Sequence, residues 1–505
     1  MWTRPGQSSC YWTVDPLTSE TLADMLGPWR HESGTLAVRL GQRLVILIEE
    51  GAVPDGTALP PERALAARLG ISRSTATAAY RHARAAGRLE SRQGSGSRAQ
   101  APRERRPTAA PGAPGPVRRP ENPAFATLGR PPAGVIDLSL AETRCDARSR
   151  AVVESLDPGW AVHAMRGTGY HPAGLGELRE VLAEYLRGRG HHATPEGLLV
   201  TTGAQQAIAL AAAVCCPPGA TVLVEEASYP GALEVFRRLG LRMLPIPTDR
   251  HGPDPQALAA LLVQTRPALV YLVPVGNNPT GVVVPAERLD VLAEVLSRSG
   301  AVLLEDRTAA PLADPAAVPT PLAARMPRGT AVVVGSMSKI AWAGLRVGWL
   351  LGPPSVLRDA LAARISADLA GSAVSQTLAA RFVGELPGLA AAVRADLAHG
   401  QRALGAALAR ELPEWVGAEP DAGAWRWVRI PGDARTFARA ASACGVLVTP
   451  GPAFSPHALM ADHLRIACVE PPQVLVEGVR RLKRTWGAVQ WGKPEPGDGR
   501  ELLLI

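Results

Sequence analysis

Residues 332–349 read VVVGSMSKIAWAGLRVGW: an apolar β-branched run, a glycine, two serines flanking a methionine, a lysine, and an arginine seven positions further on. The run is short, and its glycine and serines end it, as expected of a strand buried on both faces. Lys339 stands where that strand gives way to a loop. The chain has only three lysines, Lys339, Lys483 and Lys493, and arginine fills nearly every other cationic position. Arginine cannot replace lysine where an amine with an accessible neutral form must condense with an aldehyde. Ser336 and Ser338 offer hydroxyls beside the lysine, and Arg346 offers a planar fork suited to a phosphate. Lys339 is therefore expected to anchor pyridoxal 5'-phosphate.

That cofactor makes further demands, and the surrounding sequence meets them in order. Its phosphate needs backbone donors at a helix N-terminus, and TTGAQQAIAL (201–210) supplies Gly203, Ala204 and Gln205 where a strand would hand over to a helix. Its ring offers a face to an aromatic residue, and Tyr229 in EEASYPGA (225–232) suits that position. Asn278 in VGNNPTG (275–281) can bond the ring hydroxyl. Asp306 in VLLEDRTA (302–309) closes a buried run, where a carboxylate can face the ring nitrogen and keep the ring an electron sink. Arg465 in HLRIACV (463–469) is a candidate receiver for the carboxylate of a substrate or effector. Each residue alone fits a duller role as a cap, a core side chain or a solvated charge. Their order carries the reading.

Strand-like runs such as GLLVTTGA, ATVLVEEA, ALVYLVPV, GAVLLEDR and TAVVVGSMS alternate with amphipathic helical runs from about 134 to 492. That alternation predicts an α/β domain with a mostly parallel sheet covered on both faces. The series of motifs resembles the fold-type I aminotransferases, which implies a smaller α+β C-terminal subdomain as well.

Upstream, residues 33–99 carry ten arginines against five acids. Helix 36–50 (LAVRLGQRLVILIEE) is followed by LPPERALAARLGISRST (59–75). Pro60 and Pro61 open a short helix with Leu65, Ala66 and Leu69 on its apolar face, Gly70 breaks it, and Ser72 caps a second helix running to about Ala86. This is helix-turn-helix logic, with Arg73, Ser74, Thr75 and Thr77 near the start of the recognition helix. RLESRQGSGS (88–97) then predicts a wing. The block resembles the winged helix-turn-helix of GntR-type regulators. That likeness implies double-stranded DNA as partner, with Arg63, Arg73 and Thr75 as contacts and Gly94 and Gly96 at the wing tip.

Residues 1–32 read as an N-terminal extension, 100–133 as a Pro/Arg-rich linker, and 493–505 as a tail. The six cysteines, Cys10, Cys145, Cys215, Cys216, Cys444 and Cys468, lack metal-ligand spacing and read as reduced thiols. No apolar run is long enough to cross a membrane and the N-terminus lacks a signal-peptide pattern, so the expected location is cytoplasmic. The whole order resembles the MocR family, a GntR-type winged helix fused to an aminotransferase-like domain. That resemblance implies a domain-swapped homodimer and an effector that is the cofactor itself or an amino compound. Two departures stand out: Thr308 occupies a position that is often tyrosine in the family, and NNPTG replaces HQ-x-PTG. The leading reading is a cofactor-dependent transcription regulator. Against it stand a working aminotransferase with an accessory DNA-binding domain, and a DNA-binding protein whose large domain only dimerises.

Overall fold

Gly70 and Ser72 shape the N-terminal unit. The computed structural model describes residues 17–26, 29, 35–49, 53, 57–92, 96–100, 134–142, 147–157, 159–457 and 459–488. The described chain forms two compact units, one within 1–117 and the other within 118–505. Residues 101–133 of the expected linker, the 493–505 tail, Gly94, Cys10 and Cys145 lie outside the described residues.

The first unit has helices α1 (Ser19–Leu26), α2 (Leu36–Glu49), α3 (Glu62–Leu69) and α4 (Arg73–Ala85) and strands β1 (Leu89–Arg92) and β2 (Gly96–Ala99). Gly70 ends α3 at φ 63°, a conformation that costs glycine little. The Ser72 side chain then accepts from the Thr75 N–H at 3.0 Å and caps α4. The strands pair antiparallel, from Leu89 opposite Ala99 to Arg92 opposite Gly96, and form the wing. Leu40, Leu44, Leu65, Ala79 and Tyr80 share one core. α1, which the sequence reading left inside an extension, adds Leu22 and Leu26 to that core, and Trp29 joins them.

The second unit is built on a seven-stranded sheet. Its strands are β3 (Leu198–Thr201), β4 (Thr221–Glu225), β5 (Arg242–Ile246), β6 (Leu269–Leu272), β7 (Val302–Asp306), β8 (Ala331–Ser336) and β9 (Gly348–Leu351). Their spatial order is β3-β9-β8-β7-β6-β4-β5. Only β9 runs antiparallel to its neighbours. Five of these strands were expected; β5 and β9 were not. Alternate residues feed different cores. Val222, Val224, Tyr271 and Leu304 face one way with Ile208 and Leu357. Leu223, Val270, Leu272 and Leu303 face the other with Leu258, Leu289 and Leu292. Both faces are thus covered, as a parallel sheet requires.

A 39-residue helix, Ala373–Glu411, leads to a second sheet of β10 (Trp425–Arg429), β11 (Thr449–Pro450) and β12 (His463–Ala467), in the order β10-β12-β11. The first described residues after the linker belong here too, since Ile136–Asp137 pairs parallel with Val446–Leu447.

Gly348 shows how tightly β9 is threaded. A Cβ there would stand 2.7 Å from the carbonyl carbon of Gly203 and 2.8 Å from the carbonyl oxygen of Gly335, both backbone atoms that cannot swing aside. Gly348→Ala is expected to cost about 1–3 kcal/mol through overpacking, read as a lowered midpoint in thermal or denaturant unfolding.

Candidate functional site

The C-terminal ends of the parallel strands converge on one cavity, as is usual for open α/β sheets. Asp306 is the last residue of β7 and Ser336 the last of β8, while Gly203 follows β3 by two positions. The cavity measures about 680 Å³, and Ala204, Gln205, Tyr229, Asn278 and Asp306 line it together with Ser336, Ser338, Lys339, Arg346 and Arg465. Ten of the residues singled out in the large domain therefore meet in one place.

Asp306 is buried. One carboxylate oxygen accepts from the Tyr271 hydroxyl at 2.8 Å and the other from the Thr308 backbone N–H at 2.8 Å. Burial pushes its carboxyl above the ordinary range, against those hydrogen bonds and the charge of Lys339. Tyr271 was not anticipated, although a lone hydroxyl in the apolar run ALVYLVPV was a usable signal, because a buried phenol needs a partner. The buried Thr308 hydroxyl stands close enough to the Asp306 carboxylate to help hold its pKa down.

Lys339 is largely covered. Its Nζ donates to the Ala141 carbonyl at 2.7 Å and lies 3.1 Å from a Glu142 carboxylate oxygen. Ser338 N–H donates to the Ser336 hydroxyl at 3.2 Å, which ties the turn before the lysine.

Helix Ala204–Cys215 begins without a side-chain cap, so its first backbone N–H groups are available. Above it, Arg346 donates to the Thr202 carbonyl at 2.6 Å. Gly203 has φ 98°, and a Cβ on it would reach within 3.0 Å of the Arg346 guanidinium. Arg346 itself occupies the left-handed region at φ 53°, a strained setting of the kind that gathers at functional sites. The Gln205 side chain points elsewhere, donating to the Gly231 carbonyl at 2.8 Å. It braces the turn that presents Tyr229, and only its backbone is free to meet a phosphate.

Arg465 on β12 is buried. It donates to Asn278 Oδ1 at 3.0 Å and to the Ser139 carbonyl, and its guanidinium lies 4.9 Å from the Phe454 ring centroid. Its Nε is buried with no hydrogen-bond partner among the described residues. Burial lowers its pKa to about 10, opposed by the charge of Glu142, so it remains a cation at neutral pH. Asn278 thus faces Arg465 as well as the cavity.

The expected DNA contacts belong to the other unit. Arg63, Arg73 and Ser74 are exposed and Thr75 is half-buried at the start of α4. Thr77 does something different from what its position suggested. Its hydroxyl donates to Glu62 at 2.6 Å, and Glu62 also pairs with Arg84 at 3.3 Å. Arg84 donates on to Ser91 in the wing at 2.9 Å. Thr77 therefore helps lock α3, α4 and the wing together. Gly96 opens β2 at φ 78°.

The model of the aminotransferase class I and II family matches residues 135–482. The chain belongs to that family. The model of the bacterial regulatory proteins of the gntR family matches residues 36–98. Together they give the MocR-type architecture. The HTH-type transcriptional regulator TauR of Rhodobacter capsulatus is 29% identical over 479 residues, covering 89% of this chain and 96% of its own. The uncharacterized HTH-type transcriptional regulator YisV of Bacillus subtilis is 29% identical over 375 residues, 71% of this chain and 76% of its own. Among solved structures, the α-aminoadipate aminotransferase LysN of Thermus thermophilus, complexed with N-(5'-phosphopyridoxyl)-L-leucine, superposes with a TM-score of 0.64 at 28% identity, over 73% of this chain and 96% of that one. The family's cofactor is pyridoxal 5'-phosphate. The cavity suits it: an uncapped helix N-terminus, an arginine, a buried carboxylate and a lysine all border it. No described helix is long and apolar enough to cross a membrane.

Glu225, at the end of β4, is also buried, and it accepts from the Val273 N–H at 2.8 Å. Burial raises its pKa from 4.5 to about 8. Between those values the folded chain keeps a proton that the unfolded chain has lost, so stability falls as pH rises through about 4.5 to 8 and levels off above. Glu225→Gln is expected to flatten that slope, as measured by urea unfolding across the same pH window.

Proposed function

We propose that the protein is a pyridoxal-phosphate-dependent DNA-binding transcription regulator whose large unit senses the cofactor or an amino compound. The observation that carries this reading is that one chain holds both a lysine-bearing cavity of this kind and a winged helix with an exposed recognition-helix start. In this reading Lys339 captures the cofactor's aldehyde, and Asp306 faces the ring nitrogen. Ser336, Ser338, Arg346 and the N–H groups following Gly203 hold the phosphate. Tyr229 stacks on the ring, and Asn278 bonds the ring hydroxyl. Arg465 receives an effector carboxylate.

When bound, the cofactor supplies an electrophilic carbon and an electron sink for an amine. The protein's own residues do the selecting. Arg465 offers a cation already partly desolvated, so a carboxylate that replaces the Ser139 carbonyl gains more than it would in water. Burial raises the pKa of the Asp306 carboxyl, and a positive group facing it would favour the charged form.

DNA binding by the winged helix would begin with phosphate contacts and gain sequence preference from Arg73, Ser74 and Thr75. Thr77 acts through Glu62 and Arg84, positioning the wing. Two winged helices of a homodimer, exchanged between chains by the Pro/Arg-rich linker, would read paired half-sites on the chromosome, which places the protein in the cytoplasm.

A second reading, an active aminotransferase, draws on the same cavity and on the likeness to LysN. Steady turnover of an amino acid with a 2-oxo acid would establish it. For the regulator, operator affinity is measured with and without the cofactor at fixed salt. The expected cofactor-dependent change is roughly 5- to 150-fold, the range of a 1–3 kcal/mol coupling, and Lys339→Ala should abolish it. Equal affinity and footprint in all four conditions would refute the coupling. Separately, Arg73→Ala should weaken operator binding whether or not cofactor is present.

A further inference from the structure

Glu142 enters the cavity from the segment that follows the linker, and its role is not accounted for above. Its carboxylate is partly exposed and lies 3.1 Å from Lys339 Nζ. It is also the leading charge acting on Arg465. The carboxylate therefore stands near both groups between which an amino acid would be held.

The other charges lining the cavity have partners in the reading given above. Glu234 holds Arg237 at 3.0 Å and Arg238 at 2.9 Å. Asp306 faces the ring nitrogen, Arg346 the phosphate and Arg465 the carboxylate. In that reading Lys339, the cation beside Glu142, would be the residue that holds the cofactor's aldehyde. Glu142, partly exposed, would then keep a carboxylate face open to a cation that a ligand brings.

We propose that Glu142 is a specificity-determining residue that receives a second, cationic group on the effector, so that the sensed ligands are amino acids with a side-chain ammonium or guanidinium. The inference rests on the cofactor and effector reading of this site. It excludes acidic amino acids as the preferred class: their side-chain carboxylate would meet Glu142, and Arg238, which lines the cavity, is already held by Glu234.

The test uses the full-length protein loaded with pyridoxal 5'-phosphate, loading being verified by the visible absorbance of the bound cofactor. It is titrated calorimetrically with L-ornithine, L-norvaline and L-2-aminoadipate. Ornithine and norvaline differ only by the terminal amine, so their ratio isolates the contact. For a half-exposed ion pair the expected advantage of ornithine is about five-fold, with aminoadipate weakest. Glu142→Gln should bring ornithine down to norvaline, and Glu142→Arg should invert the order in favour of aminoadipate. Equal binding of ornithine and norvaline by the wild type, survival of the ornithine advantage in Glu142→Gln, or tightest binding of aminoadipate by the wild type would each overturn the proposal. Failure of all three to bind the loaded protein would overturn it too, while leaving the cofactor reading intact. Failure of the wild type to load the cofactor would instead overturn the reading on which it rests.

Discussion

The site depends on a carboxylate placed where a charge is hard to keep. Asp306 ends a central strand, is covered on all sides, and is held by two neutral donors, the Tyr271 hydroxyl and the Thr308 N–H. Neutral donors soften the cost of burying an anion but do not cancel it. Burial pushes that carboxyl's pKa up, and a cationic partner entering the cavity opposite it would favour the charged form. A pyridine nitrogen able to take a proton is such a partner, and the pairing would hold that proton on the ring. Tyr271 matters because it fixes the carboxylate's direction from inside the core, where neither loop motion nor solvent can turn it.

Arg465 imposes a second constraint, on the chain rather than on the charge. It belongs to the C-terminal subdomain, yet its partners are Asn278, from the loop after β6, and the Ser139 carbonyl, from the segment next to the linker. The same short segment gives the Ala141 carbonyl and Glu142 to Lys339. The two residues best suited to grip an amino compound by its two ends are therefore both held by residues 139–142. A ligand that takes either one displaces a backbone carbonyl from its hydrogen bond.

How much of this was legible in the sequence follows from how local each signal is. Lys339 could be read from scarcity, Asp306 and Gly203 from their places at strand ends, and the α3–α4 turn from Gly70 and Ser72, because each of these is decided within a few residues. β5 and β9 were missed for physical reasons. Arg242–Ile246 is an edge strand with a charge and a proline, and Gly348–Leu351 is four residues opened by a glycine, so neither shows a strand's usual period. Thr77 was assigned by its position on α4, but its hydroxyl answers to Glu62, fifteen residues away, and only the packing of α3 on α4 shows that. Glu142 was invisible in isolation, since its meaning comes from a partner 197 residues distant, and Tyr271 offered only its lone hydroxyl, whose partner lies 35 residues away.

Any influence of the cavity on the winged helix has one covalent route, through the linker into residues 134–142. That stretch is tied to the C-terminal subdomain by the Ile136–Asp137 pairing with Val446–Leu447 and by the Ala467 N–H donating to the Leu138 carbonyl. It is tied to the ligand site only at its end, through Ser139, Ala141 and Glu142. The anchored part lies between the linker and the end that meets the cavity, so a change of partners at Ser139, Ala141 and Glu142 reaches the linker only if the Ile136–Asp137 pairing shifts with it. Coupling of this kind needs only a few hydrogen bonds redistributed between two arrangements, and its size is bounded by their difference in free energy.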